Sequence, residues 1–209
     1  MVIYIVVALV AYLVGSVNFS VIISKKMAGF DVREKGSGNA GTTNMLRTVG
    51  KKAAAITLIL DILKGVVAIF IAKLIGNIWQ DLNGALLVQI AAILVVIGHT
   101  FPVFFKFKGG KGVATSLGVL LTLNWQIGLI CLVFALVLMV LTRMVSLGSI
   151  SAAILYPVLS IFITQNYLVP GNYVLSSIIL AVIVVFNHRE NVKRLMSGTE
   201  NRISFKKTK

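Results

Sequence analysis

Long apolar runs separated by short polar breaks dominate the chain. Residues 2–23, 53–75, 84–105, 125–142, 145–165 and 172–187 reach or approach the ~20 apolar residues that carry a helix across ~30 Å of hydrocarbon. A shorter run at 112–123, GVATSLGVLLTL, sits between the third and fourth of these. At ~1.5 Å per residue it reaches only ~18 Å, so it crosses only by borrowing flanking residues or a thinned bilayer. The connectors leave no room for a soluble domain, and the pattern predicts one polytopic, all-α membrane domain over 1–209. The first run begins at Met1 with no cationic lead, and Lys25 and Lys26 follow it. A cleaved signal peptide has the opposite polarity, so a retained first helix with its N-terminus outside is expected.

Composition narrows the partners. The chain is 58% hydrophobic and 12% charged, with a mean hydropathy of +0.97, where soluble domains carry ~25% charged residues. Twenty Lys and Arg against six Asp and Glu give a net charge of +14. A soluble nucleic-acid binder is also basic but cannot be this apolar, so a bilayer is expected as partner and nucleic acid is not. The lone Cys131 excludes an intramolecular disulfide. With two His and six acids in all, no metal site and no cofactor is expected.

Charge counting decides the short run. If 112–123 crosses, the loops 24–52, 106–111 and 143–144 and the tail 188–209 share one side. They hold Lys25, Lys26, Arg33, Lys35, Arg47, Lys51, Lys52, Lys106, Lys108, Lys111, Arg143, Arg189, Lys193, Arg194, Arg202, Lys206, Lys207 and Lys209, 18 of the 20 cations. If it does not cross, Arg143 and the tail cations fall opposite the rest. The positive-inside rule favours the first arrangement: seven transmembrane helices, N-terminus outside, C-terminus cytoplasmic, one helix short. Less Asp31, Glu34, Glu190 and Glu200, that inner face carries the whole +14. Lys73 and Asp81 fall near the outer surface. Asp61 and Lys64, i and i+3 within the second span, are placed to pair; intramembrane charge is a functional candidate, but pairing within one helix favours a structural role.

Three inner-face segments carry more glycine, amide and hydroxyl than connectors need. In 31–50, DVREKGSGNAGTTNMLRTVG, Gly36, Gly38 and Gly41 match G-x-G-x-x-G. The dinucleotide reading requires a preceding strand, and membrane helices flank this segment instead. Its glycines still let backbone N–H groups converge on an anion, with Ser37, Asn39, Thr43 and Asn44 as side-chain donors and Arg47 as a planar fork for phosphate; the bland reading is a tight, amide-capped turn. In 106–115, KFKGGKGVAT, the Walker pattern fails, but Gly-Gly-Lys-Gly entering a helix gathers free N–H groups, the positive end of the dipole and Lys111. A positive-inside anchor accounts for Lys106 and Lys108 but not for these glycines. The third segment, 187–200, opens with NHREN; His188 and Asn191 share a helix face, while Glu190 is free to tie Arg189, Arg194 or Arg33. The tail is read as a short interfacial helix with Val192, Leu195 and Met196 toward lipid, disordered beyond about 200. His99, before the Phe101–Pro102 bend, is assigned to packing or capping.

DVREKGSGNAGTTNMLR at 31–47, GHTFPVFFKFKGGKGVAT at 98–115, VSLGSI at 145–150 and HREN at 188–191 together resemble the bacterial membrane acyl-phosphate:glycerol-3-phosphate acyltransferases, essentially end to end. Asn18 and Ser20 stand where that family tends to show proline and glycine, and Thr42 where alanine is usual. The resemblance implies an enzyme of the cytoplasmic membrane, active at its cytoplasmic face, that moves a fatty acyl group from acyl phosphate to the sn-1 hydroxyl of glycerol 3-phosphate. The product is lysophosphatidate, in the first step of phospholipid synthesis, with functional coupling to the enzyme that makes acyl phosphate. It implies Ser37, Arg47, His188 and Asn191 as catalytic residues, and Gly38, Asn39, Thr43, Gly109, Gly110, Lys111, Gly112 and Ser146 as substrate-binding ones. An acyl phosphate has a good leaving group, so positioning and charge stabilisation suffice. In that scheme Lys111 and Arg47 hold phosphates, Ser37 and Asn191 bond the reacting centre, and His188 or a substrate phosphate takes the hydroxyl proton.

The main rival is a transporter of an anionic phosphorylated metabolite. Such proteins bind near the midplane within internal repeats, and no repeat is visible here. A metal-dependent phosphatidyl transferase needs clustered aspartates, whereas Asp31, Asp61 and Asp81 are far apart. The soluble His-x4-Asp acyltransferases are excluded because Phe104 follows His99, and Lys193 follows His188, at that spacing.

Overall fold

The computed structural model describes residues 1–164 and 173–203. The expected span ends at 165 and 172, and the tail cations Lys206, Lys207 and Lys209, lie outside the described residues. The chain runs through α1 (Val2–Ser16), α2 (Phe19–Ala28), α3 (Thr42–Thr48), α4 (Lys51–Ile78), α5 (Gly84–Thr100), α6 (Val113–Leu123), α7 (Trp125–Thr142), α8 (Val145–Thr164), α9 (Val174–Asn187) and α10 (Arg189–Met196). Short 3-10 turns lie at Val32–Glu34 and Val103–Phe105, and no strand occurs among the described residues.

Among the described residues five helical segments are long and apolar enough to cross a membrane, and six if α9 and α10, bent by 63° at His188, form one span. The expected first span extends to Ala28 but breaks at Val17–Asn18. Asn18 supplies the repair: its side chain accepts from the Val21 N–H (3.2 Å) and caps α2. The third span ends as a helix at Thr100, because Pro102 cannot continue it. The short run is an 11-residue helix, ~16 Å long.

Without a hydrophobic drive between helices in lipid, small residues let backbones meet. Two crossings use them in reciprocal pairs. A Cβ on Gly15 would strike Val95 O and one on Gly98 would strike Tyr12 O, locking α1 to α5; Gly65 faces Thr115 O and Gly118 faces Ile62 O, locking α4 to α6. The core between these crossings is made of Val7, Ala11, Ala68, Ile69, Ala72, Leu87, Ala91, Ala92, Val95 and Val119. α7 packs on α6 and α8, and α9 on α8 and α5.

The buried Asp61–Lys64 pair (2.9 Å) belongs to this framework. The Lys64 ammonium also donates to Gly15 O (3.0 Å) and Val17 O (2.9 Å). Those carbonyls end α1, have no further helical turn to bond them, and lie where water is scarce. Lys64 therefore seals the break in the first span.

Candidate active site

The three polar segments are brought to one end of the bundle by different devices. In 31–50 the organiser is Asn44, buried on α3. Its Nδ2 donates to Val32 O (2.9 Å), Lys35 O and Asn39 O (both 3.0 Å), and its Oδ1 accepts from the Ser37 N–H (2.9 Å). The loop is wound around one amide, and Gly36, at φ +63°, passes so close to Asn44 Oδ1 that a Cβ would collide with it. Asn44 is thus the scaffold of the loop rather than a donor to an anion. The turn presents Ser37 and Asn39, while Thr43 and Arg47, i and i+4 on α3, share one face.

Arg33 fastens this loop to the second segment. Its guanidinium holds Asp31 through Nε (2.9 Å) and Nη2 (2.7 Å) and donates through Nη1 to Phe105 O (2.8 Å) and Lys108 O (3.0 Å). That bidentate bond keeps the Asp31 carboxyl below its usual range, against the effect of burial. In the second segment the Gly109 and Gly110 N–H groups donate to Thr100 O and His99 O (3.1 Å each). Their missing Cβ atoms let the loop lie on the end of α5, where side chains would meet His99 and Pro102. The amides of Gly109 and Gly110 are therefore spent on α5. The turn at Gly112 (φ +88°) starts α6, whose first residues, Val113 and Ala114, face the cavity with the positive end of the helix dipole.

At the third segment the chain bends at His188. Its Nδ1 lies 2.7 Å from Val184 O; a carbonyl only accepts, so Nδ1 carries the proton and Nε2 is left with a free lone pair. Asn191 stands between Lys111, whose ammonium donates to its Oδ1, and Glu200, whose Oε1 accepts from its Nδ2 (2.9 Å). Glu200 Oε2 accepts from Arg194 Nε (3.0 Å). Burial, then Arg194 and Arg47, lowers Lys111 to about 8, with Glu200 opposing. Burial pushes the Glu200 carboxyl up, but its contacts with Asn191, Ser146 and Arg194 outweigh this and hold it below its usual value.

These groups line one cavity of about 390 Å³. Ser37, Asn39, Thr43, Arg47, Lys111, Gly112, Ser146, His188 and Asn191 all border it; Gly38, Gly109 and Gly110 do not. The cavity is polar at this end and apolar beyond. It follows helical stripes down α8 (Ser149, Ala152, Ala153, Tyr156), α7 (Met139, Ala135, Cys131) and α9 (Val184, Ala181, Leu180). From Ser146 to Tyr156 that is ~15 Å at 1.5 Å per residue.

The wall also holds residues that the sequence pattern does not single out as site residues: Arg194, Glu200 and Asn201, with Ser149, and Asp61 and His99, which the pattern assigns to pairing and to packing or capping. A tail acid among cations was the one available signal for Glu200. Just past 200 the Ile203 N–H donates to Arg143 O (2.8 Å), which holds that part of the tail on the bundle. Glu190 bonds Lys193 (3.2 Å) rather than an arginine. Met196 is exposed on α10, with Val192 and Leu195 half-buried. No group of three metal-ligating side chains occurs among the described residues.

Known proteins carry the same framework. A glycerol-3-phosphate acyltransferase of Thermoanaerobacter sp. (strain X514) is 45% identical over 200 residues, 95% of each chain. One of Clostridioides difficile (strain 630) is 43% identical over 204 residues, 98% of this chain and 97% of its own. The crystal structure of PlsY (YgiH), an integral membrane glycerol 3-phosphate acyltransferase, in its glycerol 3-phosphate form superimposes with a TM-score of 0.83 at 36% identity over 96% of both chains. Its lysophosphatidic acid form gives 0.82 at 34% identity, over 96% of this chain and 95% of its own. The glycerol-3-phosphate acyltransferase family model matches residues 5–198. These likenesses set the transporter reading aside, and the chain belongs to the glycerol-3-phosphate acyltransferase family, a family of membrane enzymes.

Proposed function

We propose that this protein acylates the sn-1 hydroxyl of glycerol 3-phosphate from acyl phosphate, releasing lysophosphatidate and inorganic phosphate. The observation that carries the reading is the continuity of the cavity: a cationic, amide-rich head opens directly into an apolar stem. One substrate is a small phosphate and the other a phosphate on a fatty chain, and this cavity suits both.

In the reaction the sn-1 oxygen attacks the acyl carbonyl carbon, the bond from that carbon to the oxygen bridging it to phosphorus breaks, and phosphate leaves with the electron pair. Arg47 and Lys111 neutralise the two phosphates, assisted by the amides opening α6. Ser37, Asn39, Thr43 and Ser146 hydrogen-bond their oxygens. Asn191 holds the Lys111 ammonium in place. His188 Nε2, the free nitrogen of an imidazole oriented by Val184 O, takes the hydroxyl proton. The acyl chain lies in the stem between α7, α8 and α9. Gly38 acts at one remove, shaping the turn, and Gly109 and Gly110 set the second loop against α5.

The same reading places the head of the cavity at the cytoplasmic face of a bacterial inner membrane. Seven crossings then put the N-terminus outside, with the short α6 as one of them. The charge asymmetry supports this. Acyl phosphate is labile, so coupling to the enzyme that makes it follows.

Purified protein given acyl phosphate and glycerol 3-phosphate in chelator-containing buffer is expected to form lysophosphatidate and phosphate in equal amounts. Absence of product, or product from acyl-CoA alone, refutes the donor assignment. Cysteines introduced at Lys25 and Arg143 react with an impermeant thiol reagent only from the cytoplasmic side if the topology holds; labelling of the two from opposite sides refutes it.

A further inference from the structure

One part of the wall, the strap 199–203, straddles the end of the third polar segment and lies beyond the 5–198 matched by the family model. It turns back over the head of the cavity, where Glu200 and Asn201 enter the lining, and is pinned by the Ile203 N–H on Arg143 O. Glu200 has a side chain only 5% exposed, a costly place for a carboxylate unless it is fully used. Its closest partners are Asn191 Nδ2 (2.9 Å) and Arg194 Nε (3.0 Å), with Ser146 beside it.

We infer that Glu200 is a positioning residue for the acyl transfer: by taking the Asn191 amide N–H it forces the amide oxygen onto Lys111, and so holds that ammonium where phosphate binds. The logic lies in what each group can do. Lys111 only donates and an ionised Glu200 only accepts, so an amide between them has one satisfied orientation. Flipped, it would set NH2 against NH3+ and oxygen against carboxylate. Arg194, held by the other carboxylate oxygen, keeps the acid in place. The inference rests on Lys111 binding phosphate, as in the reaction proposed above.

Charge gives a readout that simple propping of the fold would not move. The charged or titratable groups facing Lys111 are Arg47 from α3, His188 at the α9–α10 bend, Arg194 from α10 and Glu200 from the strap. Glu200 is the negative one, and it favours the protonated lysine. Neutralising it shifts Lys111 deprotonation to lower pH.

The test measures acyl transfer against pH for wild type, Glu200→Gln and Glu200→Asp in the full-length purified protein. For Glu200→Gln the expected result is a KM for glycerol 3-phosphate raised roughly tenfold, the scale of a lost charged hydrogen bond, with a smaller change in kcat. The alkaline limb of kcat/KM should move down by about one pH unit. Glu200→Asp, which keeps the charge, should retain the wild-type limb even if its KM rises. The midpoint of the limb does not depend on how much protein folds, so partial misfolding leaves it readable. A Glu200→Gln limb coincident with wild type, or Gln and Asp limbs displaced equally, overturns the inference. Failure of wild type itself to turn over would instead sink the reaction proposed above.

Discussion

Replacing Lys64 by Met tests the framework at its most costly point. The ammonium touches three acceptors, Asp61 Oδ1 (2.9 Å), Gly15 O (3.0 Å) and Val17 O (2.9 Å), and its side chain is 3% exposed. Methionine matches the stem in volume but leaves every acceptor without it. Removing one member of a buried ion pair costs about 3–5 kcal/mol, and each orphaned carbonyl about 1–3 kcal/mol. The sum, roughly 5–11 kcal/mol, is comparable with the whole stability of a domain, about 5–15 kcal/mol. At ~2–4 °C per kcal/mol for a chain this size, Lys64→Met should lower the Tm in detergent by ~10 °C or more, or leave no folded protein. Asp61→Asn combined with Lys64→Met removes both charges, leaves only the carbonyls unserved, and should recover ~6 °C or more, the part due to the stranded carboxylate. Thermal unfolding followed by size-exclusion chromatography reads both. A Lys64→Met Tm within ~3 °C of wild type would show that the break in the first span needs no cap.

Other consequences concern the site. Lys111 loses its proton near pH 8, and only the charged form holds phosphate. kcat/KM for glycerol 3-phosphate should therefore fall as pH rises through that value, while Lys111→Arg shifts the fall to higher pH at some cost in kcat; a wild-type profile flat to pH 10 would contradict this. His188→Gln should lower kcat by ~10²–10⁴-fold with little change in KM, and an unchanged kcat removes His188 as base. Ala153→Phe narrows the stem halfway down α8, so competition between donors should show long-chain acyl phosphate losing more than short-chain; equal losses would place the chain elsewhere.

Much of the fold was legible because a bilayer leaves few options: apolar runs of sufficient length become helices, and each run recurs as helix, five or six of them long and apolar enough to cross among the described residues. The polar motifs were legible for a related reason. Glycine, amide and guanidinium clustered between membrane helices exceed what connectors need, so Arg47, Lys111, His188 and Asn191 stood out and now border one cavity. Within those motifs the split between scaffold and site was not legible. Asn44, Gly109 and Gly110 carry the same donor chemistry as Ser37 and Asn39, yet their hydrogen bonds are used up inside the protein. Composition cannot tell a spent donor from a free one.

What the sequence by itself determined is therefore the solvent, the helical class, the crowding of cations into a few loops and the phosphate-suited residue types. Each of these depends on local run length or residue chemistry. Tertiary structure alone decided that Lys64 caps a broken helix 49 residues away in sequence. It also decided that three segments share one cavity, and that Glu200 bonds the same Asn191 amide that accepts from Lys111. Those outcomes depend on how helices cross. The crossings turn on glycines whose significance lies in what stands opposite them, which no window along the chain contains.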